Sequence, residues 1–121
     1  MAGKRVGIVH ILVNGALLES LPGASIDIGG PMRSPVVGAS RVLGYTEAVK
    51  QAEVECEVAV GAGTSLRDLS NIAGATLTFR CDTGQVYNVA DACLQEPPKL
   101  TAGEGKAALK FFGQPADEVA G

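Results

Sequence analysis

Few residues in this 121-residue chain are equipped to do chemistry. His10 is the lone histidine and stands inside the apolar run Val6–Val13, where a hydrogen-bonded or interface imidazole is expected rather than a general base. Cys56, Cys81 and Cys93 are spaced by 25 and 12 residues, which fits no zinc or redox pair. Their odd number argues against a disulfide framework, so they read as small buried hydrophobes of a reducing compartment. No flanking signature marks a cysteine or serine as an activated nucleophile. Gly103-Glu104-Gly105-Lys106 echoes a phosphate loop, but it lacks the first glycine at the required spacing and a hydroxyl residue after the lysine. Gly61-Ala62-Gly63 has Leu66 where a dinucleotide fingerprint needs its third glycine. Glu53, Glu55 and Glu57 follow one another along one strand face at steps of about 7 Å. Without histidine partners they make a poor metal site. The residues therefore predict no enzyme, no cofactor and no resident metal.

The chain must position these residues with a modest core. Hydrophobic residues make up 46% and charged residues 19%, which places it among folded domains. With three Phe, two Tyr and no Trp, the core has to come from Val, Leu, Ile and Ala. A compact monomer of this mass exposes roughly 6,100 Å². The formal net charge is −3 and no Lys/Arg cluster forms a nucleic-acid footprint, so binding through phosphates is not expected. No stretch approaches the roughly 20 apolar residues of a membrane helix. Lys4-Arg5 before the first apolar run resembles a short signal, but His10 and the turn Asn14-Gly15 make it read as a strand. A chain made and retained in the cytoplasm is the expectation.

Residues 4–13 are apolar on both alternating sets, the pattern of a strand covered on both faces, one of them by another subunit. Asn14-Gly15 turns it into a short strand over Ala16–Glu19. Residues 20–47 hold Pro22, Pro31 and Pro35 with five glycines, and no period survives across them. So long a structureless segment is uncommon inside a compact domain. It reads as an extended arm, with room for a short hairpin, docking on a neighbouring chain; the rival is a hairpin that completes the sandwich. Over residues 48–60 Ala52, Val54, Cys56, Val58 and Val60 alternate with Gln51, Glu53, Glu55 and Glu57, which predicts a half-buried strand. Residues 64–73 predict the one helix, capped by Thr64 or Ser65 and stopped by Gly74. Strands follow at 75–81, with Leu77 and Phe79 inward, and at 85–92 across the turn Asp82-Thr83-Gly84. A loop at 96–105, a strand at 106–112 with Leu109 and Phe111 inward, and a frayed tail at 113–121 complete the order. The fold class is mainly β: one domain over residues 1–121, an antiparallel β-sandwich or barrel with one short flanking α-helix at about 64–73.

The segments Pro22-Gly23-Ala24-Ser25, Gly29-Gly30, Gly44-Tyr45-Thr46-Glu47, Ala75-Thr76-Leu77-Thr78-Phe79, Cys81-Asp82-Thr83-Gly84, Pro98 through Gly105 and Phe112-Gly113-Gln114-Pro115-Ala116 form an ordered series. In that order and at this length the chain resembles the tail tube proteins of Mu-like contractile-tailed bacteriophages and their prophage or tailocin equivalents. The resemblance runs from about Val6 to Glu118. It implies a β-sandwich akin to type VI secretion tube proteins, acting as a structural subunit of the virion tail, assembled in the host cytoplasm. It implies six-fold rings stacked into a hollow tube, a surrounding sheath, a tape-measure protein, baseplate and terminator proteins, and DNA crossing the lumen without specific binding. No membrane partner is implied. The other reading is a monomeric β-barrel that binds a small ligand or a partner peptide.

Two sets of residues then carry the expected function. Gly29, Gly30, Pro31, Met32, Arg33, Pro35, Gly38, Gly44 and Tyr45 form the expected inter-subunit arm. Glu53, Glu55 and Glu57, with no Lys or Arg between them along the strand, make either a solvated outer face or the lining of the lumen.

Overall fold

The computed structural model describes residues 3–18, 20–63 and 65–120. The expected end of the second strand at Glu19, the alternative helix cap Thr64 and the last residue of the tail lie outside these. Among the described residues there are eleven strands and one helix. They are β1 (Val9–Val13), β2 (Ala16–Leu18), β3 (Ser25–Asp27), β4 (Gly30–Val37), β5 (Val42–Lys50), β6 (Ala52–Ala59), α1 (Leu66–Ser70), β7 (Ala75–Cys81), β8 (Val86–Leu94), β9 (Lys99–Thr101), β10 (Lys106–Gly113) and β11 (Asp117–Ala120). All strand pairs are antiparallel.

Nine strands form one sheet folded over on itself, in the order β2-β1-β7-β8-β10-β6-β3, with β11 also on β8 and β9 also on β10. The fold line lies where β8 and β10 change partners. β8 pairs with β7 from Val86 as far as Ala92 and with β11 over Val86, Tyr87 and Asn88, and its end, Cys93 and Leu94, pairs with Phe112 and Phe111 of β10. Asp91 turns this corner with φ +53. On the facing strand Gly113 lies so close to β8 that a Cβ would sit 2.6 Å from Val89 and 2.7 Å from the Ala90 carbonyl oxygen. Only glycine lets the two backbones meet there.

Between the layers, Ile11, Leu77, Phe79, Cys81, Val89 and Ala92 from one side meet Val54, Cys56, Val58, Ala107, Leu109 and Phe111 from the other. The alternation in β6 is complete: its even positions are buried and its odd ones are not. Helix α1 lays Leu66 and Leu69 on the edge of this core, and Ile72, just past its end, joins them. The helix is shorter than residues 64–73: Ser65 caps it, its Oγ accepting from the Asp68 N–H at 3.2 Å, and Asn71 ends it. Gly74 then takes φ +64. Three expectations need correction. Residues 99–101 of the expected loop are a strand on β10, because the turn at 102–105 folds them back. Residues 117–120 of the expected frayed tail are a strand on β8, continuing the line of β10 past the corner. And β1 begins only at Val9, leaving Ile8 61% exposed.

All three thiols are free; Cys56 and Cys81 are buried, and burial, with Glu57 adding to it, pushes the Cys56 thiol up to about 11. Thiol-reactive reagents at neutral pH should modify Cys93 first and reach Cys56 only on unfolding. Cys56→Ala should lower stability by about 1 kcal/mol through lost packing. Rapid labelling of Cys56 in the folded subunit would contradict this.

Candidate assembly surface

Residues 20–27 of the expected arm belong to the sandwich: Ser20 bridges Val58, the Leu21 N–H donates to the Glu57 carbonyl at 2.6 Å, and β3 pairs with β6. The projecting part is the β4–β5 ribbon, a two-stranded sheet of its own. Eight residues of strand reach roughly 25 Å. The register places Gly30 opposite Lys50, Pro31 opposite Val49, Arg33 opposite Glu47, Pro35 opposite Tyr45 and Val36 opposite Gly44, so most of the expected arm residues come together. Gly38 closes the tip, its N–H donating to the Arg41 carbonyl at 2.8 Å beneath the Leu43 side chain.

The ribbon is apolar and uncovered. Met32, Val36, Val37, Val42, Leu43, Tyr45 and Val49 are all exposed, Val49 by 80% and Val37 by 66%. Across its two strands Arg33 pairs with Glu47 at 3.9 Å, and the Arg33 guanidinium lies 5.9 Å from the Tyr45 ring centroid. β4 and β5 pack chiefly on each other. The surface area of the chain is 7806 Å², well above the roughly 6,100 Å² of a compact monomer of this mass. An apolar projection of this kind is a candidate interaction site. Val36, Val37, Val42 and Leu43 lie inside the expected arm at 20–47 but are not among its singled-out residues, and Val49 lies beyond it; the pairs Val36-Val37 and Val42-Leu43, set between glycines, are the sequence signal for the first four.

A clasp holds the ribbon to the sandwich. Gly29 (φ +69) packs against Lys50 and Ala52, where a Cβ would come within 2.8 Å of the backbone. Its N–H donates to Asp27 Oδ1 at 3.0 Å, and the Lys50 ammonium donates to Asp27 Oδ2. The Lys50 hydrogen bond, then the Gly29 amide, lower the Asp27 carboxyl below its ordinary range, and Asp27 raises Lys50 above its own. A lowered carboxyl stabilises above its unfolded value, about 3.9, and that stabilisation disappears as pH falls through the folded value; a raised lysine stabilises below about 10.4 and the effect disappears as pH rises through its folded value. The clasp should therefore hold from about pH 4 to about pH 10. The Gly29 amide resonance should report an acid transition below that window, and Asp27→Asn should abolish it. An unchanged transition in the variant would place its origin elsewhere.

Glu53, Glu55 and Glu57 point away from the core on the outer face of the layer built by β10, β6 and β3, the second layer; β1, β7 and β8 build the first. Here the structure changes their meaning. β10 lies alongside and supplies the cations that the strand itself lacks: Lys110 reaches Glu55 at 3.5 Å, and Lys106 reaches Glu57 at 3.0 Å and Glu104 at 3.2 Å. Both carboxylates raise the Lys106 ammonium, Glu57 foremost. Glu53 has Phe112 on one side and Asp27 on the other. The face is thus a ladder of alternating charge and not a surface of one sign. His10 lies in the register opposite Arg80 on the outer face of the other layer, exposed.

The family model described as phage tail tube protein matches residues 2–118, nearly the whole length of this fold. The chain belongs to the phage tail tube protein family. It is 38% identical over 105 residues to the tail tube protein of Escherichia phage Mu, covering 86% of this chain and 88% of the relative. It is 39% identical over 111 residues to the Mu-like prophage FluMu tail tube protein of Haemophilus influenzae, covering 92% of each. Among solved structures, the tube subunit superimposes on the sheath/tube terminator of the PVC extracellular contractile injection system with a TM-score of 0.71 at 13% identity, over 98% of this chain and 97% of the other. A chain of the sheath-tube complex of that system gives 0.60 at 12% identity, over 93% and 88%. The fold is that of contractile injection machinery, and the protein is a structural subunit of a phage tail tube.

Proposed function

We propose that copies of this subunit close into six-fold rings, that the rings stack into a hollow tube within a contractile sheath, and that DNA leaves through the lumen. The uncovered apolar ribbon carries this reading: a tail tube family member that projects so much hydrophobic surface needs other copies to cover it. Assembly in the host cytoplasm around a tape-measure protein, with a terminator and baseplate at the ends, belongs to the same reading. Negative-stain microscopy of concentrated purified protein tests it. Rings or tubes are expected; a monodisperse 12 kDa species at every concentration would overturn it.

Within that tube we place Glu53, Glu55 and Glu57 on the lumen. The ribbon prolongs the second layer, so copies joined through it extend that layer into the wall of the tube. Its inner face is already packed against the first layer, which leaves the Glu/Lys face for the channel. There Glu55 and Glu57 keep Lys110 and Lys106 from phosphate, and the wall offers passing DNA no free cation along this row. Glu55→Gln combined with Glu57→Gln should leave tubes intact, since exposed ion pairs contribute little to stability. Ejection should slow about severalfold at low salt and recover as salt rises, because the freed lysines gain phosphate contacts. Ejection at the parental rate at low salt would remove these residues from the lumen.

A further inference from the structure

The two edges of the ribbon are not equivalent. Pro31 and Pro35 stand in β4 opposite Val49 and Tyr45. A proline has no N–H to give to a ladder. Both fit this continuous pairing only if residues 31, 33 and 35 turn their backbone polar groups away from β5, and their partners Val49, Glu47 and Tyr45 turn theirs away from β4. Between its two prolines the outer edge of β4 then presents a single N–H, that of Arg33. The outer edge of β5 presents every N–H and C=O of Tyr45, Glu47 and Val49.

The same edge is already in use further along. β5 and β6 are one line of chain with a break at Gln51. The β6 half is paired on both sides, by β3 and by β10. β10 leaves that edge at Gly113, opposite Ala52, to cross to β8. Beyond this point the edge of β5 continues with no strand on it among the described residues, and Val49, Gln51, Phe112 and Pro115 line a notch where β10 departs.

We propose that a second copy of this chain adds an edge strand to β5, in line with β10, and that Pro31 and Pro35 exist to forbid the same addition on β4. The inference rests on the self-assembly proposed above and says which edge performs it. One receptive and one blocked edge give a head-to-tail contact, the kind that closes into rings. The apolar side chains of Tyr45 and Val49 flank the receptive edge and would be covered with it.

Paired substitutions test this. Glu47→Pro removes an outward N–H from β5 and Arg33→Pro removes one from β4. Each also breaks the same Arg33–Glu47 ion pair, so that loss cancels in the comparison. Glu47→Pro should raise the protein concentration needed for tubes by about tenfold or more, and Arg33→Pro should change it by less than about twofold. Amide exchange on the parental protein supplies a second measurement should Glu47→Pro fail to fold. The Tyr45, Glu47 and Val49 amides should exchange freely in the subunit and be protected in tubes, with Arg33 unprotected in both. Tubes from Glu47→Pro at the parental concentration, equal impairment by Arg33→Pro, or protection of Arg33 in place of the β5 amides would overturn the edge assignment. A parental protein that never assembles would instead overturn the proposed function.

Discussion

Excising residues 31–49 and joining Gly30 to Lys50 through an Asn-Gly turn should yield a folded, soluble subunit that cannot assemble. Gly30 and Lys50 face each other across the ribbon, so a two-residue turn closes the gap in existing register. None of the buried core residues lies in the excised interval. The Asp27–Lys50 clasp and the Gly29 contact stay in place. Shortening the connection also lowers, slightly, the entropy cost of closing it. The thermal midpoint should therefore move by no more than about 5 °C, an effect of about 1 kcal/mol, while sedimentation and negative stain find monomer alone. Tubes from the shortened protein would remove the ribbon from the assembly contact. Loss of the cooperative melt would show that the ribbon belongs to the folding unit.

Gly113→Ala should be strongly destabilising for a single added methyl. The added carbon would stand 2.6 Å from Val89 Cγ1, 2.7 Å from the Ala90 carbonyl oxygen and 3.1 Å from Ala92 Cα. The last two are backbone atoms on the strand that turns the corner, so the neighbour cannot yield by changing rotamer. Overpacking of this kind costs about 1–3 kcal/mol. In a domain of ordinary stability, about 5–15 kcal/mol, that is a large share and a drop of roughly 10 °C in Tm. Gly63→Ala is the control, since a Cβ there meets nothing within 4 Å and its φ is not positive. Calorimetry on the two variants checks the contrast; a Gly113→Ala midpoint equal to that of the control would show that β8 and β10 are free to separate at the fold line.

What could be read in the chain depended on whether one face of a strand is buried. β6, β7 and β10 each put one face in the core, and Val54/Cys56/Val58, Leu77/Phe79 and Leu109/Phe111 carry that as alternation. The ribbon buries neither face in the single chain, so the period that would have announced two strands is absent. Its prolines look like breakers, yet their nitrogens face an unpaired edge and break nothing. The lysines beside the glutamate row were beyond reach for a different reason. Glu57 and Lys106 are neighbours only through the β6–β10 register, and no local pattern encodes a register between strands so far apart. β11 reads as a frayed tail because it pairs with β8 alone among the described residues, and Asp117 and Glu118 leave it no apolar alternation.

The continuity of β5 with β6 also decides how the subunit bears load. A pull on the ribbon enters the sandwich along the axis of β6, which is held by β3 on one side and by β10 on the other. Hydrogen bonds loaded along the strand share the force and must slide together. Bonds loaded across a strand peel one after another, each carrying the whole force in turn. The ribbon is thus anchored in shear. A pull along the ribbon must therefore break the β10 ladder on β6 as a set before the ribbon comes free.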